Sequence, residues 1–157
     1  MPRHNLFVIG SASSAFAALA LAASVGGLHV RAAKVKIPMT VAARSDANPD
    51  SSGQPSSVVV RVYQLKSDGV FSRSEFFPLF DDDQKALGAD FVSRQEFVLS
   101  PAENRNLDIT LDDDTQFVGA IAAFRDIRNT QWRVTARTPL RGLTIIVERT
   151  RLLIIPD

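Results

Sequence analysis

Asn48-Pro49-Asp50-Ser51-Ser52-Gly53-Gln54-Pro55-Ser56-Ser57 runs directly into Val58-Val59-Val60-Arg61-Val62-Tyr63-Gln64-Leu65. The first half is turn chemistry and the second half is a strand. Pro49 and Pro55 each fix φ near about −65° and lack a backbone donor. Gly53 tolerates positive φ, where a side chain would clash. Asp50 and the serines are able to hydrogen-bond their own turns. A loop of about ten residues is long for a hairpin connection. Stiffened by two prolines, it loses little entropy on docking and suits recognition, with an ordinary surface connection as the plain alternative. In the extended half, Val58, Val60 and Val62 share one face, and Val59, Arg61 and Tyr63 the other.

Upstream, Val35, Ile37, Met39 and Val41 alternate across Lys34–Ala43, the pattern of a half-buried strand. Pro38 argues for an edge position or a bulge there. Downstream, Ser67-Asp68-Gly69 is a turn signal, and the period changes from Ser74 to Gly88. Ser74 and Asp81 are candidate helix N-caps, and Gly88 a candidate C-terminal stop. With Pro78 confined to a first turn, two short helical turns are expected. Phe71, Phe76, Phe77 and Phe80 make this the most aromatic region, read as a lid over one end of a β core or as a partly exposed docking patch.

Further strands are expected at Phe91–Leu99, with Phe91, Phe97 and Leu99 on one face, and at Asn106–Leu111, with Leu107, Ile109 and Leu111 inward. Gln116–Phe124 is apolar on both faces, as in a central strand. Trp132–Thr138 puts Trp132, Val134 and Ala136 on one side. Leu143–Ile155 slips phase at Arg149-Thr150-Arg151, as one long strand with a bulge or two strands with a kink. Seven to eight short strands between turn signals indicate an all-β fold, a sandwich of two antiparallel sheets with a short helical insertion.

The first 33 residues read differently. Arg3 precedes an apolar stretch, Leu6–Val25, typical of a secretory signal peptide. The apolar run through Leu28 is also long enough to act as an uncleaved membrane anchor. Residues 1–33 are therefore assigned to a leader and linker, and 34–157 to one domain of sufficient size for a real core.

Composition narrows the chemistry. The 157 residues include no cysteine, and both histidines, His4 and His29, fall in the leader. The body thus lacks the nucleophile–base pairs of Ser-His-Asp and Cys-His catalysis and the usual zinc ligands. From Ser24 onward, basic and acidic residues balance, which offers no electrostatic grip on nucleic acid. Asp81-Asp82-Asp83 and Asp112-Asp113-Asp114 lack the alternating ligand spacing of a calcium loop. The first fits helix capping and the second a solvated connection. Glu75 with Glu96, or Asp108 with Asp126, show no spacing that assembles a general acid–base pair. Arg125 and Asp126 fit a role in tying down the loop after a central strand. No enzyme, no metal and no cofactor is expected.

The order of motifs carries a resemblance. Asn48-Pro49-Asp50, then Gly53-x-Pro55-Ser56, then Val58–Lys66 is similar to TssJ, the outer-membrane lipoprotein family of the type VI secretion system. Phe71–Phe80, Leu87–Asp90, Glu96–Pro101, Ala122–Ile127 and Trp132-Arg133 follow in the family's order, so the resemblance spans about Val41 to Arg133. It implies a transthyretin-like sandwich with a protruding loop, here Arg44–Ser57. It also implies a structural role at the outer membrane, docking the periplasmic C-terminal domain of TssM in a complex that also contains TssL. On that reading Asn48, Pro49, Asp50, Ser51, Ser52, Gly53, Gln54 and Pro55 are the partner-binding residues. Val58, Val60, Val62, Ile109, Val118 and Trp132 form the scaffold behind them.

The sequence departs from the family at one position. Leu21-Ala22-Ala23 has the shape of the lipidation motif, but Ser24 stands where the family has its lipid-bearing cysteine. A hydroxyl is a far weaker nucleophile than a thiolate. Release by ordinary signal peptidase, retention of the apolar segment as an anchor, and an alteration at this site all remain open. The competing expectation is a free periplasmic sandwich that binds a small ligand or another envelope protein.

Overall fold

In the computed structural model, which describes residues 34–157, the strands on either side of the proline-containing loop are β1 (Val35–Ala43) and β2 (Val58–Leu65). The leader and Ser24 lie outside the described residues. A helical excursion follows β2: α1 (Gly69–Arg73), α2 (Phe76–Asp81), α3 (Asp83–Leu87) and one 3₁₀ turn at Gly88–Asp90. Then come β3 (Phe91–Leu99), β4 (Asn104–Leu111), β5 (Phe117–Ala122), β6 (Arg133–Arg137), β7 (Leu143–Val147) and β8 (Leu152–Pro156). They form a β-sandwich of two four-stranded sheets, ordered β4-β1-β7-β8 and β3-β2-β5-β6.

The alternation of β2 organises two cores. Val58, Val60 and Val62 face the other sheet and join Met39, Val41, Ile109, Val118, Ala120 and Ile145 between the layers. Tyr63 and Leu65 face outward, yet they are fully buried, because the helical excursion covers them with Phe71, Leu79 and Leu87. β5 lies between β2 and β6 and is apolar on both faces for the same reason, with Val118 in the inter-sheet core and Ile121 under the helices. Gly119 is where Phe71 approaches: a Cβ there would sit 2.9 Å from the ring. The aromatic segment is thus a lid on the outer face of one sheet.

The structure departs from the sequence expectations in five places. Every neighbouring strand pair is antiparallel except β1 and β7, which are parallel. The chain passes from β6 to β7 at the end where β1 begins, so β7 runs in the direction of β1. Pro38 sits in an inner strand, but β7 pairs with β1 only from Met39 onward, so Pro38 has a single neighbouring strand. Leu143–Ile155 is neither a bulged strand nor a kinked pair but a hairpin, closed by a hydrogen bond from Glu148 N to Arg151 O (2.9 Å). Phe91 does not share a face with Phe97. The β2–β3 register shifts after Gln64, which turns Phe91 toward the helices and leaves Phe97 against the inter-sheet core. Finally, the helical segment starts earlier and has more turns than expected. Asp82 rather than Asp81 caps α3, accepting from Lys85 N, and Ser74 ends α1 instead of starting a helix.

Two arginines of the sheet hold the lid by its carbonyls. Arg133 Nη1 donates to Phe71 O (2.8 Å) and Ser74 O (2.6 Å), and Arg61 Nη1 donates to Phe80 O (2.5 Å). Arg61 also pairs with Glu96 at 2.6 Å. Asp83, expected to serve as a capping residue, is buried and pairs with Arg94 and, at 3.9 Å, with Arg61. The hydroxyl of Tyr63 lies in the same region with no hydrogen-bond partner. Burial pushes it up to about 12, with the neighbouring Arg61 opposing and Asp83 reinforcing that shift.

Candidate functional site: the loop end of the sandwich

β1 spans about 30 Å at the usual strand rise. The Arg44–Ser57 loop therefore projects from the end of the sandwich opposite the start of β1. The connections 100–103, 123–132 and 148–151 emerge at the same end.

The base of the loop is tied to the end of β7 and to all three of these connections. Arg44 N donates to Val147 O, and Ala102 N donates to Arg44 O. Asn48 is the central tie. It is only 2% exposed and has a φ of 50°, a left-handed conformation that asparagine tolerates better than most residues. Its Nδ2 donates to Ser57 O and its Oδ1 accepts from Arg125 N, both at 2.8 Å. Its own N–H donates to Arg149 O (3.2 Å). One amide side chain thus closes the loop on itself and joins it to the β5–β6 connection.

The tip is built by Asp50. Its Oδ1 accepts from Ser52 N (2.8 Å) and Gln54 N (3.0 Å), and its backbone pairs with Gln54 O and Gly53 N. Gly53 takes a φ of 80°, the conformation anticipated for it. Ser51, Ser52, Gly53, Gln54 and Pro55 are exposed, and Pro49 and Asp50 half-buried. Side-chain hydrogen bonds of Asn48 and Asp50 therefore hold the loop in addition to its two prolines. Of the eight loop residues singled out, seven stand at or beside the accessible tip, and Asn48 lies beneath them.

A cleft of about 490 Å³ opens between the loop and its neighbours, lined by Pro49, Asp50, Arg125, Asp126, Thr130 and Arg149 among others. Asp126 Oδ2 accepts from Asn129 Nδ2 (2.8 Å) and so braces its own connection. Arg125 contributes its backbone to that bracing, while its side chain is exposed. Arg149 and Thr150 were not legible as neighbours of the loop. The only sequence hint was the phase slip at Arg149-Thr150-Arg151. Glu103, in the adjacent β3–β4 turn, is held below its usual value by the Ser100 N–H and then by Arg105. Among the described residues there is no group of three or more potential metal-ligating side chains, and no helix is long and apolar enough to cross a membrane.

Of the scaffold residues, Val58, Val60, Val62, Ile109 and Val118 lie in the inter-sheet core behind the loop. Trp132 is partly buried and bridges that core and the lid.

Comparison with known proteins fits this architecture. Residues 35–154 match the model of the type VI secretion lipoprotein family that includes VasD, EvfM and TssJ. The T6SS lipoprotein TssJ1 from Pseudomonas aeruginosa shares 32% identity at a TM-score of 0.75, over 80% of this chain and 98% of that one. A chain in a structure described as a type VI membrane complex gives 29% identity and a TM-score of 0.69, over 79% of this chain and 100% of that one. A chain in a structure described as the TssM C-terminal domain (869–1107) from EAEC gives 29% and 0.66, over 78% and 98%. Comparison with curated proteins gave no significant match. With a family match across nearly the whole body and the same sandwich, this chain belongs to the type VI secretion lipoprotein family.

Proposed function

We propose that this protein is a non-catalytic docking element of the type VI secretion membrane complex, and that its loop end binds the periplasmic C-terminal domain of TssM. The observation that carries this reading is the pre-organised tip. Asp50 fixes the exposed Ser51–Gln54 turn from within, and Asn48 fixes the base from below. A surface already in its bound shape loses little conformational freedom on association. Chains of this fold in structures described as a type VI membrane complex and as the TssM C-terminal domain support the choice of partner. The leader would deliver the body to the periplasm, beside the outer membrane, in an assembly that also contains TssL. Membrane fractionation would separate an anchored form from a released one.

The test is titration of purified residues 34–157, which contain both sheets and both cores, with the TssM periplasmic domain of the same organism. The wild type is expected to bind, and Pro49→Ala with Asp50→Ala to weaken binding by at least about tenfold. The thermal midpoint should stay close to the wild type, because the lost hydrogen bonds are exposed. Equal affinity of the two proteins would refute the loop assignment. The cleft beside the loop favours one second reading, a small-ligand binding module. That reading requires a ligand-induced thermal shift that disappears in Arg125→Ala.

A further inference from the structure

We propose that the cleft between α2 and the β5–β6 connection is a second docking surface, which receives an acidic segment of the same partner and seats one of its apolar side chains against Phe77. This rests on the partner reading above.

The cleft measures about 440 Å³ and is lined by Arg73, Glu75, Phe76, Phe77, Arg128 and Trp132 among others. Its floor is an aromatic stack. Phe76 packs edge-on against Trp132 (5.1 Å between centroids) and flat against Phe80 (5.2 Å). On a helix, Phe76, Leu79 and Phe80 share the face that covers the sheet. Phe77 is rotated away from that face and is 62% exposed, touching Phe76 edge-on at 5.4 Å. A lone exposed apolar residue is ordinary. A phenylalanine at the mouth of a cleft that also exposes Phe76 and Trp132 offers an apolar anchor among charged neighbours.

The rim specifies the charge of the occupant. Arg73, Arg128 and Arg133 face a single carboxylate, Glu75. Among the described residues, none of these arginines forms an ion pair. Arg133 spends one nitrogen on two lid carbonyls, and its burial lowers its affinity for the proton. Three arginines against one glutamate leave the rim net positive, which an incoming carboxylate would offset. The β5–β6 connection links this cleft to the loop end. Asp126 lines the cleft beside the loop, and Ile127 and Arg128, the next residues along, line this one. A partner seated on the loop tip can follow the β5–β6 connection into the aromatic cleft.

The test is the same titration at low and high salt, with Phe77→Ser and Arg128→Glu beside the wild type and the loop double variant. Both residues project from the surface, so the fold should be preserved. Each substitution is expected to weaken binding by about tenfold, and Arg128→Glu also to flatten the salt dependence. If both bind like the wild type while the loop variant fails, the second surface is refuted and the loop reading stands. If the wild type does not bind, both proposals fall. If partner affinity is unchanged but Phe77→Ser converts a concentration-dependent dimer to a monomer in sedimentation, the occupant is a second copy and the proposal is overturned.

Discussion

The Arg44–Ser57 loop and the α1–α3 lid are the two long departures from the sandwich, and they are held by opposite means. The lid carries its own apolar core: Phe71, Leu79 and Leu87 bury against Tyr63, Leu65 and Ile121. Its polar ties, from Arg61 and Arg133, supplement that core. In the loop, only Ala47 and Asn48 are buried, and its shape depends on the amide of Asn48 and the carboxylate of Asp50. Apolar burial scales with area and tolerates small shifts, whereas a hydrogen-bonded loop depends on a few groups in one geometry. The buried core of the lid should therefore dominate stability, and recognition should fall to the loop and to the exposed rim of the lid at Phe77.

The largest expected effect is on the lid. Phe71 is fully buried, 5.6 Å from the Tyr63 ring and directly over Gly119. Phe71→Ala should cost about 3–5 kcal/mol in denaturant unfolding. Partner affinity, measured where the variant is still folded, should be nearly unchanged. A large loss of affinity would erase the division of labour between the two regions.

Asn48→Ala comes next. It strands Ser57 O and Arg125 N without partners and places alanine at a φ of 50°. The cost should be about 2–3 kcal/mol, with a clear loss of partner binding. Asn48→Gly should recover the backbone part, about 1 kcal/mol, without restoring affinity. Recovery of affinity by glycine would mean that the side-chain ties are dispensable.

Gly53→Ala is smaller. Open space surrounds the position, so only the φ of 80° opposes the methyl group. About 1 kcal/mol is expected by denaturant unfolding.

The smallest effect is at Tyr63. Its buried hydroxyl has no partner, so Tyr63→Phe should be neutral or stabilising by about 1 kcal/mol at pH 7. The sign of the pH dependence follows from the raised value. The unfolded chain begins to ionise this group near 10.0, whereas the folded chain holds the proton up to about 12. Stability from this residue is intact below pH 10 and falls as the pH approaches 12. Tyr63→Phe should remove that alkaline loss, as pH-dependent unfolding would show.

Local pattern made most of the fold legible. β2 alternates over Val58–Val62 and β4 over Leu107–Leu111, and β5 is apolar on both faces because both faces are covered. What was not legible depends on partners distant in the chain. Asn48 reads as a turn residue in the sequence, but its amide is satisfied by Arg125, far along the chain. Asp83 looks like a capping residue, yet it is buried by arginines of β2 and β3. The parallel β1–β7 pair follows from where the chain crosses between sheets, which period-2 alternation does not encode. The accessible tip of the candidate site could be read from Pro49 to Pro55, because turn chemistry is local. The Arg125–Arg149 wall beside it could not.

Amide hydrogen exchange on residues 34–157, alone and with the TssM periplasmic domain, tests the central claim most directly. The account predicts new protection at the exposed amides of Ser51, Ser52 and Gln54, extending to Arg125–Arg128, with little change along β4 or β8. Protection confined to a sheet edge, with the 50–54 amides exchanging as in the free protein, would contradict it.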